Sequence, residues 1–209
     1  RVLDAVEARR DADDTVICFF ADHGDHLGDH RAWQKESFFE ASCHVPFLVS
    51  WPAGGIVKGE RRDELVSLID LFGIATSAAG ETDLRDGADV LGILRGDVAP
   101  RERLFGLYGA PGTPRFKVMV REGRWKYIFL ANGGGELLFD VAADPQELRQ
   151  LLASQPDVAG RMRNAAAAYL AGPAGKEALD EDGGLRAWPF QARPLRRICQ
   201  FDRSRGITG

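Results

Sequence analysis

The 209 residues carry 44% hydrophobic and 28% charged side chains and a formal net charge of −4, the balance of a folded globular chain. That composition excludes a disordered polyelectrolyte and a protein with global affinity for nucleic acid, and no window approaches the roughly eighteen apolar residues of a membrane span. A chain of this length buries roughly 70% of its unfolded surface, enough for one large domain or two small ones.

Residues 1 to 10 read as a helix with apolar positions at Val2, Leu3 and Val6. The chain opens inside that helix without methionine, so further sequence, including any targeting signal, is expected upstream. The acidic turn Asp11-Ala12-Asp13-Asp14 leads into Thr15-Val16-Ile17-Cys18-Phe19-Phe20, which has the pattern of a strand buried on both faces. A loop with Gly24 and Gly28 follows, then a short helix is expected from Lys35 to Ser42. Val45 to Trp51 reads as a second buried strand, stopped by Pro52 and Gly54-Gly55. Leu68, Leu71, Phe72, Ala75 and Ala79 give the spacing of an amphipathic helix over Leu65 to Ala79, with Gly80 as its stop. The first half is therefore α/β.

Beyond Pro100 the pattern changes. Leu104 to Tyr108, Arg115 to Arg121, Trp125 to Leu130 and Glu136 to Val141 are short strand-like runs joined by tight turns at Glu122-Gly123 and Asn132 to Gly135, which predicts antiparallel hairpins. Asp144-Pro145-Gln146-Glu147 reads as a helix start, with Asp144 as cap and Pro145 in the first turn. That helix is expected to reach Leu152, break near Pro156 and resume from Asp157 to Ala171, giving a small antiparallel sheet packed on a helix. From Gly172 the chain is rich in Gly, Pro and Arg and reads as irregular. Its arginines from Arg186 to Arg205 face one acid, Asp202, and read as a solvated tail pairing with acids elsewhere.

The four histidines, His23, His26, His30 and His44, lie within twenty-two residues, and the first follows a strand. In open α/β sheets, ligands bind at the carboxyl ends of strands, which places Asp22 and His23 where chemistry is usual. At a strand end their side chains can converge, and a hard oxygen beside an imidazole suits a divalent cation. The plain alternative is a capping aspartate beside a hydrogen-bonded histidine, and spacing alone leaves both open. His26 and His30 stand four apart, but Gly24 and Gly28 disfavour a helix and no His-Glu-x-x-His run is present, so a zinc-protease site is not indicated. They and His44 read as supporting or structural.

Lys35 is either a solvated lysine or an anion contact. An ammonium near a divalent cation is repelled unless an anion lies between them, so a metal pair followed by lysine suits a sulfate or phosphate ester. Cys18, Cys43 and Cys199 are odd in number and widely spaced, without the pattern of a disulfide framework or a zinc ribbon. Tyr108, Arg115 and Trp188 are within the classes that contact substrates, with packing or surface pairing as the default for each.

The run from Phe20 to His30, with Trp33-Gln34-Lys35 and Val45-Pro46-Phe47-Leu48-Val49-Ser50-Trp51-Pro52, resembles the C-terminal half of the sulfatases, within the alkaline phosphatase superfamily. The likeness combines Asp-His-Gly, Gly-Asp-His, a lysine thirteen residues after the aspartate, and the Val-Pro strand. It continues through Leu65 to Asp70, Leu91 to Gly96, Trp125 to Ile128, Leu138 to Asp140 and Asp144 to Glu147. The resemblance implies that residues 1–100 are the C-terminal part of an α/β catalytic domain holding part of an alkaline-phosphatase-like sheet. Residues 101–171 would then be an antiparallel sheet-and-helix subdomain and 172–209 an Arg-rich tail.

It further implies that Asp22 and His23 are metal ligands, usually to calcium, and that Lys35 contacts the sulfate ester. Histidine in place of the asparagine many members carry at position 23 also suits manganese or zinc. Two family features are absent from this sequence: the Cys/Ser-x-Pro-x-Arg motif that yields the formylglycine nucleophile, and the paired N-terminal aspartates. Cys43-His44-Val45-Pro46 has its proline one place too late and no following arginine, so Cys43 reads as packing. The expectation is the C-terminal portion of a sulfatase, inactive by itself, whose formylglycine lies upstream. Its implied partners are a sulfate ester and the missing N-terminal part of the same protein, and no nucleic acid. The alternatives are a phosphonate monoester hydrolase or phosphodiesterase of the same superfamily, and a non-catalytic binding domain derived from the fold.

Overall fold

A computed structural model describes residues 1–56 and 59–192, so Cys199 and the arginines from Arg193 onward lie outside the described residues. The chain is mixed α/β. Helix α1 (Val2–Glu7) leads to β1 (Ile17–Phe20), then α2 (Glu40–Cys43), β2 (Phe47–Ser50), α3 (Asp70–Ala78) and α4 (Val90–Arg95). Four strands follow, β3 (Arg103–Tyr108), β4 (Lys117–Glu122), β5 (Trp125–Leu130) and β6 (Gly135–Asp140), and then α5 (Pro156–Tyr169).

Strands β1 and β2 pair antiparallel, with Cys18 opposite Val49 and Phe19 opposite Leu48. Cys18 and Val49 join Ile74 of α3 and Leu91 of α4 in one apolar cluster. The reading of β1 as buried on both faces is corrected here: Phe19 is 63% and Leu48 57% exposed. Successive side chains of a strand point to opposite faces, and among the described residues the helices cover only one. The helix expected from Leu65 begins only at Asp70. The buried Asp70 carboxylate instead accepts the backbone N–H groups of Ser67 (2.7 Å) and Ala88 (2.8 Å) and pairs with Arg101. The segment at Leu91 to Gly96 is itself helical: Asp89 caps α4 by accepting from the Gly92 N–H, and Gly96 ends it at φ +83°.

The second sheet is a meander of order β3-β4-β5-β6, all antiparallel. Val118, Val120, Tyr127, Phe129 and Leu138 of one face pack on Ala159, Met162 and Ala166 of α5. Met119, Ile128 and Phe139 of the other face pack on Phe38 and Phe39. Gly106 of β3 leaves the room that Phe38 occupies, since a Cβ there would lie 2.8 Å from the phenyl ring. The loop after β1 thus covers one face of a sheet built some eighty residues later.

One predicted helix is shortened and another is absent. Residues 35–39 run as turns and only Glu40–Cys43 is helical. Residues 144–152 form turns, with Asp144 accepting from the Arg149 N–H, the Leu151 N–H donating to Leu138 and Glu147 at φ +55°. Helix α5 starts at Pro156, whose missing N–H costs nothing in a first turn. The described residues beyond Gly172 are irregular apart from one helical turn at Lys176–Ala178, but attached: the Trp188 N–H donates to Ala131, its side chain packs on the core, and Arg186 donates to Leu179.

Candidate functional site

Asp22 and His23 follow β1 directly, and Lys35 returns to them at the far end of a twelve-residue loop. The backbone closes that loop: the Gly24 N–H donates to Ser42 (2.8 Å), and the His26 N–H donates to Gln34 (2.9 Å). Gly24 is required for the first contact, because a Cβ there would fall 2.0 Å from the Ala41 carbonyl oxygen. Leu27, His30, Arg31 and Gln34 all adopt positive φ. A non-glycine residue holds that conformation only where its surroundings over-determine it.

All three side chains singled out from the sequence come together. His23 Nδ1 lies 2.6 Å from the Gly24 carbonyl. A carbonyl only accepts, so Nδ1 carries the proton and Nε2 presents its lone pair. The Lys35 ammonium donates to that Nε2 at 2.5 Å, and Asp22 Oδ2 stands 3.3 Å from the same nitrogen. Asp22 is largely exposed, and its Oδ1 accepts from the His23 N–H.

This donor set fits a cation. Two ligands ~2.3–2.5 Å from one ion at a right angle stand ~3.3–3.5 Å apart, which is the separation of Asp22 Oδ2 and His23 Nε2. The chain already places a cation of its own, the Lys35 ammonium, on the imidazole. Among the described residues no three His, Cys, Asp or Glu side chains converge on one point, so the described residues would offer such an ion two donors.

The other histidines lie outside this trio. His26 is buried, with Nε2 2.6 Å from Ser37 Oγ, and His30 stacks on Phe39 with ring centroids 3.9 Å apart. His44 is exposed and paired with Glu40 at 2.7 Å. Cys43 donates to the Phe38 carbonyl, and burial raises its thiol pKa. Tyr108 and Arg115 line a shallow hollow of about 520 Å³ with Gln191.

The sequence reading missed the residues that hold the loop. Lys126 of β5 is 1% exposed; its ammonium donates to the Phe38 carbonyl (2.8 Å) and forms ion pairs with Glu40 and with Glu147 (2.8 Å). Burial alone would lower the Lys126 pKa, but electrostatic coupling to the Cys43 thiol group and to the carboxylates of Glu147 and Glu40 outweighs it and the net shift is upward. Burial opposes ionisation of Glu40 as well, and Lys126 overrides it to hold that carboxyl below its ordinary range. A readable signal existed: Lys126 shares a strand face with Ile128, opposite Phe139, where a lysine at an apolar position calls for a buried acid.

Residues 1–81 match the family model described as Sulfatase. Over 156 residues the chain is 36% identical to choline-sulfatase of Rhizobium meliloti, taking in 72% of this chain and 29% of that protein. It is 33% identical over 153 residues to arylsulfatase K of Danio rerio, covering 69% of this chain and 29% of the relative. The phosphonate monoester hydrolase of Agrobacterium radiobacter superposes with a TM-score of 0.70 at 25% identity, over 90% of this chain and 42% of that one. The chain therefore spans 29% of the length of the curated relatives it matches.

Proposed function

Because the chain belongs to the sulfatase family, we propose that the protein carrying it hydrolyses a sulfate monoester. In this reading Asp22 and His23 are two ligands of a divalent cation, calcium first, with manganese and zinc as alternatives. Lys35 faces the anionic oxygens of the ester. The observation that carries the reading is the meeting of Asp22, His23 and Lys35 around one imidazole lone pair.

A divalent cation bound there would supply Lewis-acid polarisation of an ester oxygen. The nucleophile, a formylglycine by resemblance, belongs to sequence outside these residues. The chain's own groups orient and neutralise. The Gly24 carbonyl fixes the His23 tautomer that keeps Nε2 free of a proton. That lone pair serves one positive charge at a time, so the Lys35 ammonium that now donates to it would turn to a non-bridging or leaving oxygen of the ester when His23 holds a cation. A second reading, a phosphonate monoester hydrolase, is favoured by the structural likeness to such an enzyme, and the same residues would serve it.

The test is a screen of the intact protein against aryl sulfates, sugar sulfates and phosphonate esters, with Asp22→Ala and Lys35→Ala variants. Asp22→Ala is expected to abolish metal-dependent turnover, and wild-type activity in it would sink the site. Lys35→Ala is expected to lower kcat ~10²- to 10³-fold at nearly unchanged metal content. Lost metal with full turnover per bound ion would refute the anion role. A higher kcat/KM on phosphonates than on sulfates would select the second reading.

A further inference from the structure

The strained loop that carries Lys35 needs an external support, and the second sheet supplies a charged one. On the sheet face beneath residues 35–44, Lys117, Met119 and Arg121 of β4 lie beside Lys126, Ile128 and Leu130 of β5. Apolar side chains hold Phe38 and Phe39, while the Lys117 ammonium donates to the Glu36 carbonyl and Lys126 binds Glu40. Glu147 completes the arrangement: its Oε1 is 2.8 Å from Lys126 Nζ, and its Oε2 accepts the Glu40 backbone N–H at 2.6 Å. Glu147 does so from a left-handed backbone, φ +55°, a strain retained where the aim of its carboxylate is fixed.

We infer that the buried Lys126–Glu40–Glu147 triad is a positioning device for the anion site, acting through α2 and Ser42 on Lys35 and His23. The connection is continuous. Glu40 opens α2, and within that helix the buried Ser42 turns two of its polar groups, hydroxyl and carbonyl, to the site. Its hydroxyl donates to the Lys35 carbonyl, and its own carbonyl accepts the Gly24 N–H that follows His23. One residue thus sets the distance between the lysine and the histidine. Stability alone does not call for such a triad, because a buried ion pair is often no better than apolar residues of equal volume. Its distinctive contribution is direction: Lys126 donates to the Phe38 carbonyl and Glu147 accepts the Glu40 N–H, with two ion pairs joining them, where packing of Phe38 and Phe39 alone permits sliding. This role rests on the reading of Lys35 and His23 as the ester-facing groups.

The experiment uses the intact protein with 15N-labelled histidine, the His23 ring signals being assigned by a His23→Gln variant. The variant Lys126→Met/Glu40→Gln/Glu147→Gln, compared in a His44→Gln background because His44 pairs with Glu40, removes all three charges of the triad together. With circular dichroism unchanged and divalent cations removed by chelation, its His23 is expected to shift from the Nδ1–H form to a mixture containing the Nε2–H form. Its kcat on the preferred ester is expected to fall about 10- to 100-fold, with KM moving less than about threefold. A folded variant with wild-type His23 signals and kcat would overturn the proposal and leave the triad as structural glue. Should that variant not fold, Ser42→Ala decides: it cuts the hydroxyl contact to Lys35 with the triad intact, and unchanged His23 signals and kcat there overturn the relay. If the wild type turns over no ester, the proposed function fails, while the His23 tautomer still reports on the triad.

Discussion

Lys126→Met should destabilise the protein by an amount that depends on pH, and the structure sets both size and sign. The substitution removes the ammonium that binds the Phe38 carbonyl and two carboxylates, and leaves Glu40 and Glu147 against each other, Glu147 almost wholly buried. Relief comes from protonating one carboxyl. At pH 7, for a group that ordinarily titrates near 4.3, this costs about 3.7 kcal/mol; at pH 5 it costs about 1 kcal/mol. The first figure falls within the ~3–5 kcal/mol of a broken buried pair. Arg121, whose charge also reaches Glu40, Glu147, Cys43 and Asp140, keeps the loss from exceeding it. In the variant a folded-state carboxyl pKa is raised, so stability returns as pH falls. In the wild type the Glu40 pKa is lowered, so its contribution is present above about 4.5 and is lost as pH falls further. Both trends shrink the difference in acid. The Lys126 pKa is raised, so its contribution persists until pH rises past the ordinary 10.5. The assay is urea unfolding of both proteins at pH 7 and pH 5, read by tryptophan fluorescence, since Trp125 adjoins Lys126. A His44→Gln background removes the imidazole paired with Glu40. A loss below about 1 kcal/mol at pH 7, or an equal loss at both pH values, would refute a buried triad.

Two further outcomes follow from the packing. Gly24→Ala should cost metal binding and turnover together, because its Cβ would meet the Ala41 carbonyl and force apart the contact that seats His23; isothermal titration with calcium showing wild-type affinity would contradict this. Tyr127→Phe removes the hydroxyl that donates to Glu136 at 2.8 Å but leaves Arg163 on the same carboxylate, so a loss of ~1–2 kcal/mol in urea unfolding is expected. No change would mean that Arg163 alone satisfies Glu136.

The second sheet was legible because its information is local. Each strand is bounded by its own turn residues, and alternation sorts Val118, Val120, Tyr127 and Phe129 from Met119 and Ile128. The helix signal at Asp144-Pro145-Gln146-Glu147 is equally local, yet it lost to a contact from far along the chain. Aiming Glu147 at Lys126 requires a positive φ, which no helix tolerates. Strand β1 shows the converse. Ile17-Cys18-Phe19-Phe20 is apolar at every position, so sequence cannot tell which face is covered, and the described residues cover that of Cys18.

The site was legible as a set of residues but not as a geometry. Asp22 and His23 are adjacent, so a strand end suffices to place them, whereas Lys35 reaches them only through Leu27, His30, Arg31 and Gln34 at positive φ. No propensity encodes four such residues. They persist because Phe38, Phe39 and Glu40 are held by a sheet whose strands begin at Arg103. The change of pattern near residue 100 therefore separates two secondary-structure regimes without separating the chemistry. The first half supplies Asp22, His23 and Lys35, and the second holds the segment through which Lys35 reaches them. On the proposed function, a substitution on β5 would then alter an anion contact without touching the anion.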